Sequence, residues 1–285
     1  MDKTRYPLLL TGTIDPGNVK KFRVEQRLGE YEHAIERYIN MTPFNPIVFA
    51  ENSGYPFNAQ KYEKMAEKQG KIFEYVQGSF CAEEVKNRGK GYGEGLLIYE
   101  GLKKSILNEE ELFYKMTGRI FLKNSEAIIR TRNRHKNEFI IYDGMGWCMT
   151  WCFKANVEDY MKVLGDIYKE CDDKKLRDIE ICMWLRLQKA DLDVGSFSEY
   201  PNVDGKMGDT QIAYTKSWLD WAIRNVMIKL GIFTMNSKMS SIFWRIYQII
   251  TGRKPYVTNN IQVGKKYDLW DTKKAKNKKK NKFEK

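Results

Sequence analysis

Tyr6-Pro7-Leu8-Leu9-Leu10-Thr11-Gly12 is the stretch on which the fold turns. An apolar run this short, closed by Thr-Gly, reads as a first buried strand rather than a helix. The same pattern returns at Ile47-Val48-Phe49-Ala50, closed by Glu51-Asn52-Ser53-Gly54, and at Lys71-Ile72-Phe73-Glu74-Tyr75-Val76. Between the first two lie a turn, Asp15-Pro16-Gly17-Asn18, and a helical segment over 25–40 with Leu28, Tyr31, Ala34, Ile35 and Tyr38 at apolar positions. Pro43 and Pro46 bracket a break, and a polar helix is predicted over 58–69. Strands alternating with helices argue for the α/β class, with a mostly parallel sheet covered by helices. Ligands of such sheets sit outside the carboxyl ends of the strands. That rule groups residues 11–15, 51–54 and 115–119.

Further along, residues 87–93 read as a glycine-bearing loop and 94–107 as a helix. Residues 112–122 form a strand region with a polar middle. Ile128-Ile129-Arg130-Thr131 and Phe139-Ile140-Ile141-Tyr142 are two more expected strands, followed by helices over 157–171 and 176–190. No internal repeat is found.

Composition is ordinary for a globular chain, 42% hydrophobic and 30% charged. The apolar run Leu8–Leu10 is too short for a signal-peptide core, and no run reaches 18 apolar residues, so neither a secretory signal nor a spanning helix is expected. The five cysteines, Cys81, Cys148, Cys152, Cys171 and Cys182, are odd in number and scattered, which fits reduced thiols and a cytoplasmic setting. Cys148 and Cys152 sit four apart, but no histidine or second cysteine pair joins them, and with only His33 and His135 in the chain a zinc site is not expected. Net charge is +12, of which Lys273–Lys285 supplies +7 through eight lysines and one acid. So charged a tail cannot fold alone.

Five groups of residues can carry chemistry. Glu51-Asn52-Ser53-Gly54, with Thr11, Gly12 and Asp15 beside it, is either an ordinary strand-ending turn or a polar loop holding a nucleoside. Gly89-Lys90-Gly91-Tyr92-Gly93-Glu94 is either a flexible loop or one that closes on a diphosphate, with Lys90 offsetting its charge. It matches neither the dinucleotide fingerprint nor a Walker loop. Lys115-Met116-Thr117-Gly118-Arg119 places two cations in a strand region. Alternation puts Lys115, Thr117 and Arg119 on one face, where burial without an anion would be costly, so the segment is either a solvated edge or, the favoured reading, its charges face a ligand. Asp178-Ile179-Glu180 is a solvated helix face or the source of a general base. Asp143, at a strand end, is a turn residue or a metal ligand.

Taken in order, Leu9–Asn18 with Tyr31 and Arg37, Val48–Tyr55, Gly89–Glu94 and Lys115–Arg119 resemble bacterial glycosyltransferases of capsule and lipopolysaccharide loci. The resemblance covers about residues 6–190. It implies a GT-A-like, Rossmann-like fold, a nucleotide-sugar donor, and a glycan or lipid-linked glycan acceptor. It also implies an Asp-x-Asp motif holding a divalent Mg or Mn on the donor diphosphate. The equivalent stretch here, Lys115–Arg119, has no acid, so that metal is in doubt and a cationic strand is its expected substitute. Donor contacts are expected from Thr11, Gly12, Asp15, Glu51, Asn52, Ser53, Lys90, Gly91, Glu94, Lys115, Thr117, Gly118 and Arg119. The Asp178–Glu180 helix is similar to the acidic motif that supplies the acceptor-activating base in inverting members. Glu180 is the first choice for that base and Asp143 the second.

Three segments are expected: a catalytic domain over 1–210, a helical extension over 211–256 and a Lys-rich tail over 257–285. Residues 214–233 and 241–250 read as helices whose aromatic residues and basic flanks suit an anionic membrane interface, or as helices that complete the core. A peripheral location at the inner face of the cell membrane follows from the first alternative. Nucleic acid is not an expected partner, because no basic stripe with interleaved aromatics is present. Two further readings stay open: a non-catalytic nucleotide- or polyanion-binding module, and a sugar-phosphate or nucleotidyl transferase.

Overall fold

A computed structural model describes residues 5–17, 21–131, 133–206, 213–214 and 217–252. Asn18, Arg253, Lys254 and the Lys-rich tail lie outside them.

The elements run β1 (Leu8–Gly12), α1 (Lys21–Met41), β2 (Ile47–Glu51), α2 (Ala59–Lys68), β3 (Phe73–Gln77), α3 (Ala82–Arg88), α4 (Lys90–Lys103), β4 (Leu112–Thr117), β5 (Phe121–Leu122) and α5 (Ser125–Arg130). They continue with β6 (Asn137–Glu138), β7 (Ile141–Tyr142), β8 (Trp147–Cys148), β9 (Cys152–Asn156), α6 (Val157–Val163), α7 (Ile179–Lys189), β10 (Val194–Gly195), β11 (Val203–Asp204), α8 (Trp218–Lys229) and α9 (Lys238–Thr251). Seven strands form one sheet in the order β3-β2-β1-β4-β9-β6-β10. β1, β2, β3 and β4 are parallel, and β9 runs antiparallel to both β4 and β6. The class is the expected one: mixed α/β, with a mostly parallel sheet covered by helices.

The reason is visible in β1 and β2. Every residue of both is buried, as strands covered on two faces must be. Leu8, Leu10 and Phe49 pack on one face with Tyr31, Ile35 and Tyr38 of α1. Leu9, Val48 and Ala50 pack on the other with Leu97, Ile98 and Leu102 of α4. Each buried leucine contributes about 2 kcal/mol. α8 and α9 join the first layer, where Ile228, Ile232, Phe233 and Trp244 belong to the same core as β1. Among the described residues no helix is long and apolar enough to cross a membrane.

Several expectations are corrected. Ile128–Thr131 is not a strand; Ile128 and Ile129 are successive buried residues of helix α5. Residues 139–142 do not form one strand, because β6 ends at Glu138 and β7 begins at Ile141. The helix expected over 157–171 stops at Val163. β9, central to the sheet, was hidden by the charge of Lys154 in its middle. The expected glycine loop 87–93 is mostly helix, since α4 starts at Lys90. Its glycines serve contact rather than flexibility: a Cβ on Gly93 would lie 2.8 Å from Val85, and one on Gly95 would lie 3.1 Å from Tyr168.

Candidate active site

The register of β1 with β2 and β4 brings Thr11–Asp15, Glu51–Ser53 and Thr117–Arg119 to one rim. Gly12 is needed there, because a Cβ would lie 2.7 Å from the Tyr31 ring and 2.8 Å from Phe49. Glu51 is wholly buried. Its Oε1 accepts from Ile14 N (2.8 Å), Ser53 N (2.9 Å) and the Ser53 hydroxyl, and its Oε2 accepts from Gly54 N (3.1 Å). One carboxylate therefore fastens the loop after β1 to the loop after β2. The Thr13 hydroxyl donates to Asn52 Oδ1 (2.7 Å), and Asp15 N donates to Ser53 Oγ (3.1 Å). From α1, Arg27 reaches the carbonyls of Thr13 and Ile14, and the Tyr31 hydroxyl accepts from Thr13 N at 2.9 Å. Gly118 N donates to Thr11 O at 2.8 Å, which joins the β4 end to the same rim.

Lys115 and Arg119 do not share a face, contrary to the alternation expected. The strand ends at Thr117 and the chain turns at Gly118. Lys115 is completely buried in the α4 layer, paired with Glu94 and donating to Thr150 O at 2.7 Å. Arg119 lies in the α1 layer, 2.7 Å from Glu30, with its guanidinium 5.8 Å above the Tyr31 ring. Its side chain is 7% exposed, and its Nε has no hydrogen-bond partner.

α7 brings the carboxylates. Glu180 is half-buried in the first turn of that helix and accepts from the Thr150 hydroxyl at 3.2 Å. Burial, helped by the neighbouring charges of Asp178 and Glu94, pushes its carboxyl up to about 8. A carboxyl held there exchanges its proton near neutral pH, which is what a general base needs. The α4 residues connect this group to the rim, since a Cβ on Gly93 would lie 3.8 Å from Asn52 Nδ2. The positive end of α4 is already occupied. Asp173 accepts from Lys90 N at 2.8 Å, and Gly91 abuts the backbone of Ile179. A carboxylate of the chain itself thus faces the first amides of α4 in the segment expected to meet a diphosphate.

Asp143 stands apart. Its Oδ1 accepts from Trp184 Nε1 (2.9 Å) and Gln188 Nε2 (2.7 Å), and its Oδ2 from Asn236 N (3.0 Å). With three donors on its two oxygens, it joins α7 to the residues before α9. Among the described residues no group of three His, Cys, Asp or Glu is placed to hold a metal ion. Around the β4 end Glu94 is paired with Lys115, Glu30 with Arg119, Glu180 accepts from Thr150, and Glu51 is filled by its own loops, so these carboxylates do not fit the divalent ion that the resemblance implies.

Sequence reasoning missed Thr150, Glu30 and Arg27. Thr150 was hidden because β9, which it precedes, was not foreseen. Arg27 and Glu30 are charged positions on a helix and read as solvated. Phe80, three residues beyond the end of β3, is 66% exposed. It lies two residues after Gly78, whose added Cβ would touch Asn52 at 3.4 Å.

No family model matches the chain. Nor does any curated protein. Solved structures are similar. The glycosyltransferase GlyE of Streptococcus pneumoniae TIGR4 superposes with a TM-score of 0.44 at 8% identity, over 68% of this chain and 45% of that one. A protein of Desulfovibrio desulfuricans G20 described as a nucleotide-diphospho-sugar transferase gives 0.43 at 12% identity, over 66% and 78%. The bifunctional glycosyltransferase WbbM gives 0.37 at 8% identity, over 59% and 34%. The chain thus spans less than half the length of two of these three neighbours. All three scores fall below 0.5, too low to transfer any residue's role.

Proposed function

We propose that this chain is a glycosyltransferase that moves a sugar from a nucleotide-sugar to a hydroxyl of a glycan acceptor. The supporting observation is Glu180: a half-buried carboxyl raised to about 8, hydrogen-bonded by Thr150, beside the carboxyl-end rim of a parallel sheet. The donor lies over the residues that Glu51 fastens together, with Asn52 and Ser53 at one end and Gly118 and Arg119 at the other. An acceptor O–H attacks the anomeric carbon, the bond from that carbon to the phosphate oxygen breaks, and the nucleoside diphosphate leaves. Glu180 takes the acceptor's proton. Arg119, with an uncommitted Nε, offsets the charge that develops on the departing phosphate. Lys115 acts indirectly, by holding Glu94 in place next to Glu180. The acceptor we favour is a lipid-carried glycan of bacterial surface-polysaccharide assembly, a reading supported by the apolar outer surface of α8 and α9.

Incubating the protein with UDP-, GDP-, CMP- and dTDP-sugars, with and without chelator, tests the reading. Turnover of one donor is expected, and Glu180→Gln should lower kcat at least about 100-fold with donor affinity kept. Thermal shifts without turnover would replace the enzyme with a binding module. A new phosphodiester or phosphoanhydride in the product would make it a phosphate-transfer enzyme.

A further inference from the structure

α8 and α9 each carry two apolar faces. The inner faces close the core through Ile228, Trp244 and their neighbours. Among the described residues, the outer faces carry side chains that are largely exposed. Leu219, Ile223 and Val226 on α8 are 53–60% exposed, and Ile242, Ile246 and Ile249 on α9 are 51–75% exposed. Their spacings of three and four residues set them along one stripe of each helix. Trp218, at the start of α8, is 74% exposed. Single exposed apolar residues are common, but such a stripe on each of two consecutive helices is not.

The charge around the stripes identifies what covers them. Lys229, Lys238 and Arg245 are exposed among the apolar residues. α9 contains no acid, and the one acid of α8, Asp220, is paired with Arg224 of its own helix at 3.2 Å. The chain then continues past Gly252 with twelve Lys or Arg and three Asp or Glu over residues 253–285. A second copy of this chain would bring the same positive charge to the same place, and the two would repel. An apolar surface bordered by cations matches a layer with an apolar interior and anionic headgroups.

We propose that the outer faces of α8 and α9 dock on an anionic lipid bilayer, the apolar stripes entering the interface and the basic residues meeting the headgroups. The proposal stands independently of the transfer reaction. It does place the surface usefully. Arg224 of α8 donates to the Tyr200 hydroxyl at 2.9 Å, Tyr200 packs against Trp151, and Trp151 follows the Thr150 that holds Glu180.

Co-sedimentation of the full chain with vesicles tests it, using phosphatidylcholine alone and phosphatidylcholine with 30% phosphatidylglycerol. The protein should pellet with the anionic vesicles and stay in solution with the neutral ones. Ile242→Ser/Ile246→Ser/Ile249→Ser should cut the bound fraction at least about tenfold while its Tm stays within a few degrees of wild type, since all three positions are exposed. Substituting Gln for the lysines of 273–285 should weaken binding and make it less sensitive to salt. Failure to pellet with anionic vesicles, or equal pelleting of the triple variant, overturns the proposal. So does a concentration-dependent dimer, seen by analytical ultracentrifugation, that the triple variant abolishes, since a second copy would then cover the stripes. None of these outcomes depends on donor turnover.

Discussion

Glu180 and Glu51 are both carboxylates within the candidate site, and their surroundings give them opposite tasks. Glu180 meets one hydroxyl donor and two other acids, so its proton is held to about 8. If it is the base, kcat/KM should rise with pH through an ascending limb centred near 8, and a flat profile from pH 6 to 9 would remove it from that role. Stability must move the other way. Between the usual carboxylate range near 4 and about 8, the folded chain holds a proton that the unfolded chain has lost, so stability falls as pH rises. Glu180→Gln removes that slope. Its Tm should match wild type near pH 5 and exceed it at pH 8.5, and an equal difference at both would sink the account. Glu51 instead accepts from four donors. Glu51→Ala leaves Ile14 N and Ser53 N without partners in the interior and should cost about 3 kcal/mol by urea denaturation, with a raised KM for any donor that turns over.

At the level of elements, packing decided what periodicity could not. The strands β1 and β2 were legible because a strand covered on both faces is a bare apolar run. β9 was not, because Lys154 interrupts Cys152-Phe153-Lys154-Ala155-Asn156. The structure supplies the missing partner: Glu138 of β6 lies 3.0 Å from Lys154, with both side chains fully buried. Burial pushes the Glu138 carboxyl up to about 7 even with that cation beside it. Lys154→Met should therefore cost about 3–5 kcal/mol, and adding Glu138→Leu should recover most of it; a double variant no better than the single would mean the two are not coupled. α4 shows the converse. Its glycines suggested a loop, yet the sequence holds no sign of the neighbours that require them. Gly101→Ala would bring a methyl to 2.9 Å from Leu9 and 3.1 Å from Ala50. It should lower stability by about 1–3 kcal/mol, measured by thermal melting.

Over the whole molecule, the sequence located the rim but not the layers. Strand ends at Gly12 and Glu51 follow from where apolar runs stop. That Lys115 and Arg119 point into different layers follows from the turn at Gly118, which a strand pattern extended past Thr117 conceals. Asp143 was legible as a strand-end acid, but its donors come from residues 184, 188 and 236, too distant in sequence for any motif to link. That carboxylate carries a mechanical consequence. Helix α7, which bears Glu180, and the segment leading into α9 are tethered to the same two oxygen atoms. A shift of Asn236 must drag Asp143 or rupture its bond, so strain applied at the outer helices has a direct route to the helix of the candidate base. Asp143→Ala would cut this tether at both ends. Amide hydrogen exchange should then quicken together at residues 184–188 and 232–238, and acceleration at one segment alone would show that the two move separately.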